Sequence, residues 1–310
     1  MYPGHGDGEF DQALTELAQA GATHVALNVF WAQRDVRSNS IRPTEAATVG
    51  GAQLRRTIAR ARDLGLEVIV FPILRVEQRA TGQWRGTVQP RDVDAWWSSY
   101  RAFILHYAAV AAQEGATALV VGSELASTEH WRDRWYALIG AVRLQYAGTV
   151  VYSANWDHYD KVSFWSRVDA IGVSAYFELT SDSEASVDDL ARAWEPHRRS
   201  LVAYARRLNR PLWITEVGYP SRDGGAVRPW DYTADTRVDL EEQRRAFAAF
   251  ARAWGRRDGL SAVLFWNWWG RGGPDDRSYT PRGKPSLSVI RSFFGGDGQS
   301  DVTQRPAPAN

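Results

Sequence analysis

Seven short, almost unbroken apolar runs alternate along the chain with segments of helical periodicity, and this alternation restricts the fold more than any other feature. The runs are His24–Trp31, Glu67–Pro72, Ala118–Glu124, Val150–Asn155, Ala170–Tyr176, Leu212–Glu216 and Ala262–Trp268. A strand that is apolar on both faces must be covered on both faces, as in a parallel sheet flanked by helices. Phe10, Leu14 and Leu17 recur at helical spacing until Gly21. Further helices are predicted near 50–64, 92–114, 130–146, 159–166, 187–208, 239–256 and 285–294. Two of these end at Gly65 and Gly115, the residue type that stops a helix without steric cost. Repeated βα units of this kind specify the α/β class.

The chain opens on a helix and offers seven strands against eight helices, which predicts a (β/α)8 TIM barrel lacking its first strand or truncated there. A doubly wound open sheet is the alternative. It is disfavoured because no glycine-rich phosphate loop follows a strand; Gly4-His5-Gly6-Asp7-Gly8 precedes the first one. One domain is expected over residues 1–295, and a disordered tail over 296–310, where Gly, Pro, Ser and Gln dominate. The start, Met1-Tyr2-Pro3-Gly4-His5, lacks the basic and apolar regions of a signal peptide. No apolar run approaches the roughly 20 residues that span a bilayer. As written, the sequence reads as a soluble cytoplasmic protein. If Met1 lies inside a longer reading frame, a first strand and a signal peptide precede it, and the protein is periplasmic or secreted.

Composition enters chiefly through what it excludes. The absence of cysteine rules out disulfides, thiolate catalysis and Cys-type zinc sites. The six histidines are scattered without a ligand spacing, so neither a metal nor another cofactor is expected. Asp7, Asp157, Asp160 and Glu178 are weaker candidates for substrate subsites or a cation. A net charge of +1 provides no field for nucleic acid or an anionic membrane, and a monomer is expected. The 15 tryptophans are compatible with a large aromatic core or with a carbohydrate cleft, where flat sugar faces stack on indole rings.

Two strands end in glutamate, at Val121-Gly122-Ser123-Glu124 and at Trp213-Ile214-Thr215-Glu216. A charge at the end of an apolar run is costly unless it is paired or faces a cleft. In a barrel, strand C-termini converge on the working face. Two carboxyls brought together there are the equipment of glycoside cleavage, in which one protonates the leaving oxygen and the other attacks the anomeric carbon, about 5–5.5 Å apart in retaining enzymes. Gly122-Ser123-Glu124 lacks the second glycine of a serine nucleophile elbow.

The run Gly122-Ser123-Glu124-Leu125, with Trp135, Tyr152-Ser153-Ala154-Asn155-Trp156, Phe164-Trp165 and Asp169-Ala170-Ile171-Gly172, resembles glycoside hydrolase family 113. Ala175-Tyr176-Phe177, Thr215-Glu216-Val217-Gly218-Tyr219, Pro229-Trp230, Trp84-Arg85-Gly86, Trp97, Tyr100 and Phe265-Trp266-Asn267-Trp268 extend the likeness over about residues 10–290. The resemblance implies a retaining (β/α)8 glycosidase of clan A, endo-β-1,4-mannanase-like, acting on a polysaccharide or oligosaccharide. In that clan the acid/base ends strand four and the nucleophile strand seven. Glu124 and Glu216 take those places if the first visible strand counts as the second.

By the same resemblance, Tyr176 orients the nucleophile, and Trp266 or Trp268 forms the floor under the sugar. Asn28, Trp31 and Gln33, with Asn155 and Trp156, are candidates to line the cleft, and Arg75 either approaches the nucleophile or braces a loop. Each aromatic also has a core reading. Many clan members carry Asn before the acid/base to hold the sugar 2-hydroxyl; Ser123 stands there in this chain, leaving room that an axial hydroxyl, as in mannose, would use. Glu124, which must start the cycle protonated, is expected to have the higher pKa of the pair. The competing expectations are an enzyme of another β-glycan (exopolysaccharide or β-glucan, by hydrolysis or transglycosylation) and a catalytically silent carbohydrate-binding barrel.

Overall fold

The computed structural model describes residue 1, residues 3–256 and residues 258–295; the expected tail, 296–310, lies outside the described residues. Seven parallel strands follow one another in a single sheet, β1 (His24–Gln33), β2 (Glu67–Val76), β3 (Ala118–Ser123), β4 (Thr149–Asn155), β5 (Ala170–Ser174), β6 (Leu212–Val217) and β7 (Ala262–Phe265). Between and around them run α1 (Asp7–Gln19), α2 (Gly51–Asp63), α3 (Val93–Gln113), α4 (Arg132–Arg143), α5 (Val187–Leu208), α6 (Leu240–Trp254) and α7 (Ser286–Gly295). This is a (β/α)8 TIM barrel lacking one strand.

Alternation along the strands produces two apolar layers. Phe30 and Ala32 of β1 join Ile69, Phe71 and Ile73 of β2, Val120 and Val151 in a cluster inside the curl of the sheet. The residues between them, among them Val29, Val68 and Val70, pack outward against the helices. Both faces of each strand are thus removed from water, which is why the strands read as unbroken apolar runs.

The sheet does not close. Among the described residues β1 pairs only with β2 and β7 only with β6. All of β7 is half-buried, whereas β3 and β5 are buried throughout. A cavity of about 280 Å³ lies along this seam, lined by Ala26 and Asn28 of β1, Val263 and Leu264 of β7, and Phe293 and Phe294 of α7. The two sheet edges are tied through α1. Glu16 accepts from the Trp268 indole at 3.2 Å and pairs with Arg282 at 2.7 Å, while Phe10 packs on Trp269.

The short helix expected near 159–166 is replaced by two 3-10 turns, Tyr159–Lys161 and Trp165–Arg167, separated by Val162 in extended conformation. Side chains here bind locally and sideways instead of continuing a helix. Ser163 Oγ donates to the Glu129 carbonyl at 2.5 Å and the Trp165 indole to the Tyr159 carbonyl at 2.8 Å. No described helix is long and apolar enough to cross a membrane.

Candidate active site

Because all strands are parallel, their C-terminal ends converge on one rim, where Glu124 follows β3 and Glu216 occupies the end of β6. Gly122 must be small: a Cβ there would come within 2.8 Å of both the Trp135 and Tyr152 rings. Two residues on, Glu124 adopts φ 53°, a left-handed backbone that is unfavourable for a residue with a long side chain. Its amide is held by the Ser153 carbonyl of β4 at 2.7 Å. Strain of this kind persists only where the surroundings over-determine it, and it concentrates at functional sites. Just after β6, Gly218 permits close approach of the segment following β7, since a Cβ would lie 2.0 Å from the Trp266 carbonyl oxygen.

β5 holds the two carboxyls together. Ser174 is the register partner of Glu216, yet its hydroxyl donates to Oε1 of Glu124. Two residues further, the Tyr176 hydroxyl donates to Oε2 of Glu216 at 3.0 Å. Glu124 is 6% exposed and Glu216 3%, so both charges sit in a pocket that is nearly closed to water. Below them Ser153 and Thr215 join hydroxyls at 2.6 Å.

Arg85, in the connection between β2 and α3, supplies the cation. Its Nη2 lies 2.7 Å from Oε2 of Glu124, and its Nε donates to the Ser123 carbonyl at 3.2 Å. Nη2 also approaches Ser123 Oγ at 3.4 Å. Burial works against the guanidinium's charge, but Glu124 and Glu216 more than compensate and hold its pKa above the ordinary value. Burial, and then the neighbouring Glu124, push the Glu216 carboxyl up to about 8, against the pull of Arg85 and of the Tyr176 hydrogen bond. Proton affinity is therefore raised at Glu216 by its burial and its acidic neighbour. Burial raises the Tyr176 hydroxyl well above its usual value, with Glu216 adding to the effect.

Behind Glu124 lies a second buried network. Glu129 accepts from the Tyr152 hydroxyl at 2.7 Å and pairs with His158 Nδ1 at 2.5 Å. The same Tyr152 oxygen accepts the Leu125 amide at 3.1 Å, fixing the backbone next to Glu124. Burial raises the Glu129 carboxyl, opposed by these hydrogen bonds.

The expected site residues divide into those that reach this pocket and those that do not. Glu124, Glu216 and Tyr176 meet there. Trp31 points the other way, between β1 and α3, against Phe103, His106 and Tyr107. Gln33, on the same side of β1, accepts from the Trp96 indole at 2.8 Å. Both odd-numbered positions face the helices, as strand alternation requires. Asn28 faces the seam cavity, with Oδ1 buried and without a partner among the described residues. Trp266 and Trp268 also line that cavity, which includes neither glutamate, and Trp268 is engaged with Glu16 of α1. Asn155, at the end of β4, donates to Asp157 at 2.7 Å, and the half-buried Trp156 packs edge-on against Phe177.

Arg75, at the end of β2, is exposed; the arginine that reaches the carboxyls is Arg85, ten positions later. Arg85 and Ser174 are the two contacts that sequence reasoning missed. Arg85 stood within the Trp84-Arg85-Gly86 motif but on no strand end, and Ser174 had no signal beyond being a small polar residue in an apolar run. Of the candidate acids, Asp7 pairs with Arg56, and Glu178 accepts from the exposed Trp230 at 2.9 Å. Asp223, Asp239 and Glu242 bring carboxyl oxygens within 4.8 Å of one another. The two oxygens of Glu242 accept the Gly224 and Ala226 amides at 2.8 Å each, so this group braces the loop after β6.

The sequence profile of Glycoside Hydrolase Family 113 matches residues 5–280. Among solved structures, "The structure of GH113 beta-mannanase AaManA from Alicyclobacillus acidocaldarius in complex with ManMIm" aligns with a TM-score of 0.84 and 28% identity, over 94% of each chain. A "Complex structure of GH113 beta-1,4-mannanase" aligns with a TM-score of 0.85 and 24% identity, over 95% of this chain and 96% of the other. Fungal β-1,4-galactanases share the fold more distantly, with a TM-score of 0.56 and 15% identity over 90% of each chain. No curated protein sequence is significantly similar to this one.

Proposed function

The chain belongs to glycoside hydrolase family 113, and from that premise we propose that it cleaves β-linked mannan-like polysaccharide or oligosaccharide with retention at the anomeric carbon. Glu216 attacks that carbon and forms a glycosyl-enzyme. Glu124 protonates the departing oxygen and then removes a proton from the water that hydrolyses the intermediate. The observation carrying this reading is that Ser174 and Tyr176, two positions apart at the end of β5, grip the two glutamates in one buried pocket. The mannanase neighbours support the choice of β-mannan over other β-glycans.

The reading is tested by incubating the purified protein with β-1,4-manno-oligosaccharides and a panel of other β-glycans, then substituting each glutamate in turn. Glu216→Ala is expected to abolish hydrolysis, and azide to restore turnover as an α-glycosyl azide. Glu124→Ala with azide is expected to yield the β-anomer from substrates with activated leaving groups. Near-wild-type activity of Glu216→Ala overturns the assignment, and a preference for β-glucosides overturns the choice of β-mannan.

A further inference from the structure

Exposed large apolar side chains are few among the described residues, and three of the four, Trp230, Tyr232 and Val238, lie on the connection between β6 and α6. Trp230 is 46% exposed and Tyr232 60%, too open for either ring to serve as core. The loop is built to hold them there. Pro229 is fixed from below by the Tyr279 hydroxyl, which donates to its carbonyl at 2.6 Å. Asp231, between the two aromatics, turns inward: its Oδ1 accepts the Thr233 and Ala234 amides at 2.8 and 3.2 Å, with the buried Arg222 4.0 Å away. Each ring is then pinned by its polar tip to another connection on the same rim. The Trp230 indole donates to Glu178, beyond β5, at 2.9 Å, and the Tyr232 hydroxyl accepts from Arg79, beyond β2, at 2.9 Å. Pinning the tips orients the rings yet leaves much of their apolar area in water, with no packing contact to offset it.

The two rings adjoin the glutamate pocket. Tyr279 packs edge-on against Tyr176 with ring centroids 6.3 Å apart, and Tyr176 donates to Glu216. The path from Glu216 to Trp230 thus runs through two tyrosine rings and one peptide. Trp230 therefore stands beyond the sugar that Glu216 attacks, within reach of the same glycan chain. We propose that Trp230 and Tyr232 form a sugar-stacking platform outside the glutamate pocket, taking a pyranose ring of the β-glycan away from the bond that is cleaved. The inference rests on the glycosidase reading given above. The C–H faces of a pyranose stack on indole and phenol, while Glu178 and Arg79 at the ring edges offer an acceptor and donors to its hydroxyls. Because the tips are tethered before the glycan arrives, little side-chain freedom is lost on binding. Two rings alone are far smaller than a specific protein interface, which argues for a sugar over a protein partner.

Steady-state kinetics on manno-oligosaccharides of increasing length tests the platform. With Trp230→Ala and Tyr232→Ala combined, KM for mannohexaose is expected to rise roughly tenfold, the scale of one or two stacking contacts, with kcat unchanged. The value of kcat/KM for an aryl β-mannoside, whose single sugar does not extend beyond the pocket, is expected to equal that of the wild type. So is the thermal midpoint, since both rings are exposed. Trp230→Phe with Tyr232→Phe keeps the rings without their polar tips and is expected to restore most of the affinity for the long substrate. Calorimetry in the Glu216→Ala background, with and without the two alanines, is expected to show the same loss of mannohexaose affinity. Equal losses on long and short substrates would make the loop a brace for the pocket and overturn the platform. So would a mannohexaose affinity that the alanines leave unchanged. Absence of turnover by the unmodified protein would count against the glycosidase reading alone, because the calorimetric comparison decides the platform without turnover.

Discussion

The Tyr176 hydroxyl donates to Oε2 of Glu216 at 3.0 Å while Oε1 of the same carboxyl is buried and has no hydrogen-bond partner among the described residues. One oxygen is held and the other is left bare. That is the asymmetry a nucleophilic carboxylate needs, because an attacking oxygen already engaged by a donor must give up that bond to react. The hydrogen bond also favours the ionised form against burial, which otherwise dominates at this residue.

Tyr176→Phe removes that bond and leaves the ring in place. The Glu216 pKa is expected to rise further, moving the acidic limb of the kcat/KM profile to higher pH. At the optimum kcat/KM is expected to fall roughly tenfold or more, each tenfold being about 1.4 kcal/mol. A pH–rate series on manno-oligosaccharides checks both; an unmoved acidic limb would show that the tyrosine acts on something other than Glu216.

Glu216 links stability to pH. Its folded pKa, up to about 8, lies above the roughly 4.3 expected in the unfolded chain. The folded state thus keeps a proton that the unfolded state releases between those values. This contribution is complete below the unfolded pKa and is lost as pH rises through the folded one. Glu216→Gln, which cannot ionise, is expected to be more stable than wild type above pH 8 by up to a few kcal/mol at about 1.4 kcal/mol per unit, with the gap closing toward pH 4. Urea denaturation at several pH values measures the gap; one that stays constant with pH contradicts the prediction.

Trp31 separates packing from substrate contact. Because its ring lies against Phe103, His106 and Tyr107, Trp31→Ala is expected to cost about 3 kcal/mol of stability, as for other large-to-small changes in packed interfaces. KM for manno-oligosaccharides is expected to stay unchanged at temperatures where the variant is folded. A large rise in KM with normal stability would return Trp31 to the cleft.

The Glu129 network supports the backbone of Glu124 from behind. Glu129→Ala strips the Tyr152 hydroxyl and His158 of their shared acceptor and is expected to destabilise the protein by roughly 2–4 kcal/mol. Since Tyr152 also accepts the Leu125 amide, kcat is expected to fall as well, while Glu129→Gln retains more of both quantities. Thermal denaturation and steady-state kinetics on the two variants check the order.

Much of this protein was legible without coordinates, because parallel strands covered on both faces announce themselves as unbroken apolar runs and helices stop at glycines such as Gly65 and Gly115. The expensive charges closing two of those runs, Glu124 and Glu216, stood out for the same reason. Which way a side chain points depends on strand register, so Trp31 read as readily for the cleft as for the helix layer until alternation along β1 turned it outward. Tertiary structure alone decided the company the two glutamates keep. Arg85 reaches Glu124 from a connecting segment, and Ser174 reaches it from a strand whose register partner is Glu216. Contacts between residues 39 and 50 positions apart leave no local pattern to read. The proton affinity of Glu216 depends on burial and on neighbours brought in by folding, so chain order could name the carboxyl but not the direction in which its pKa moves.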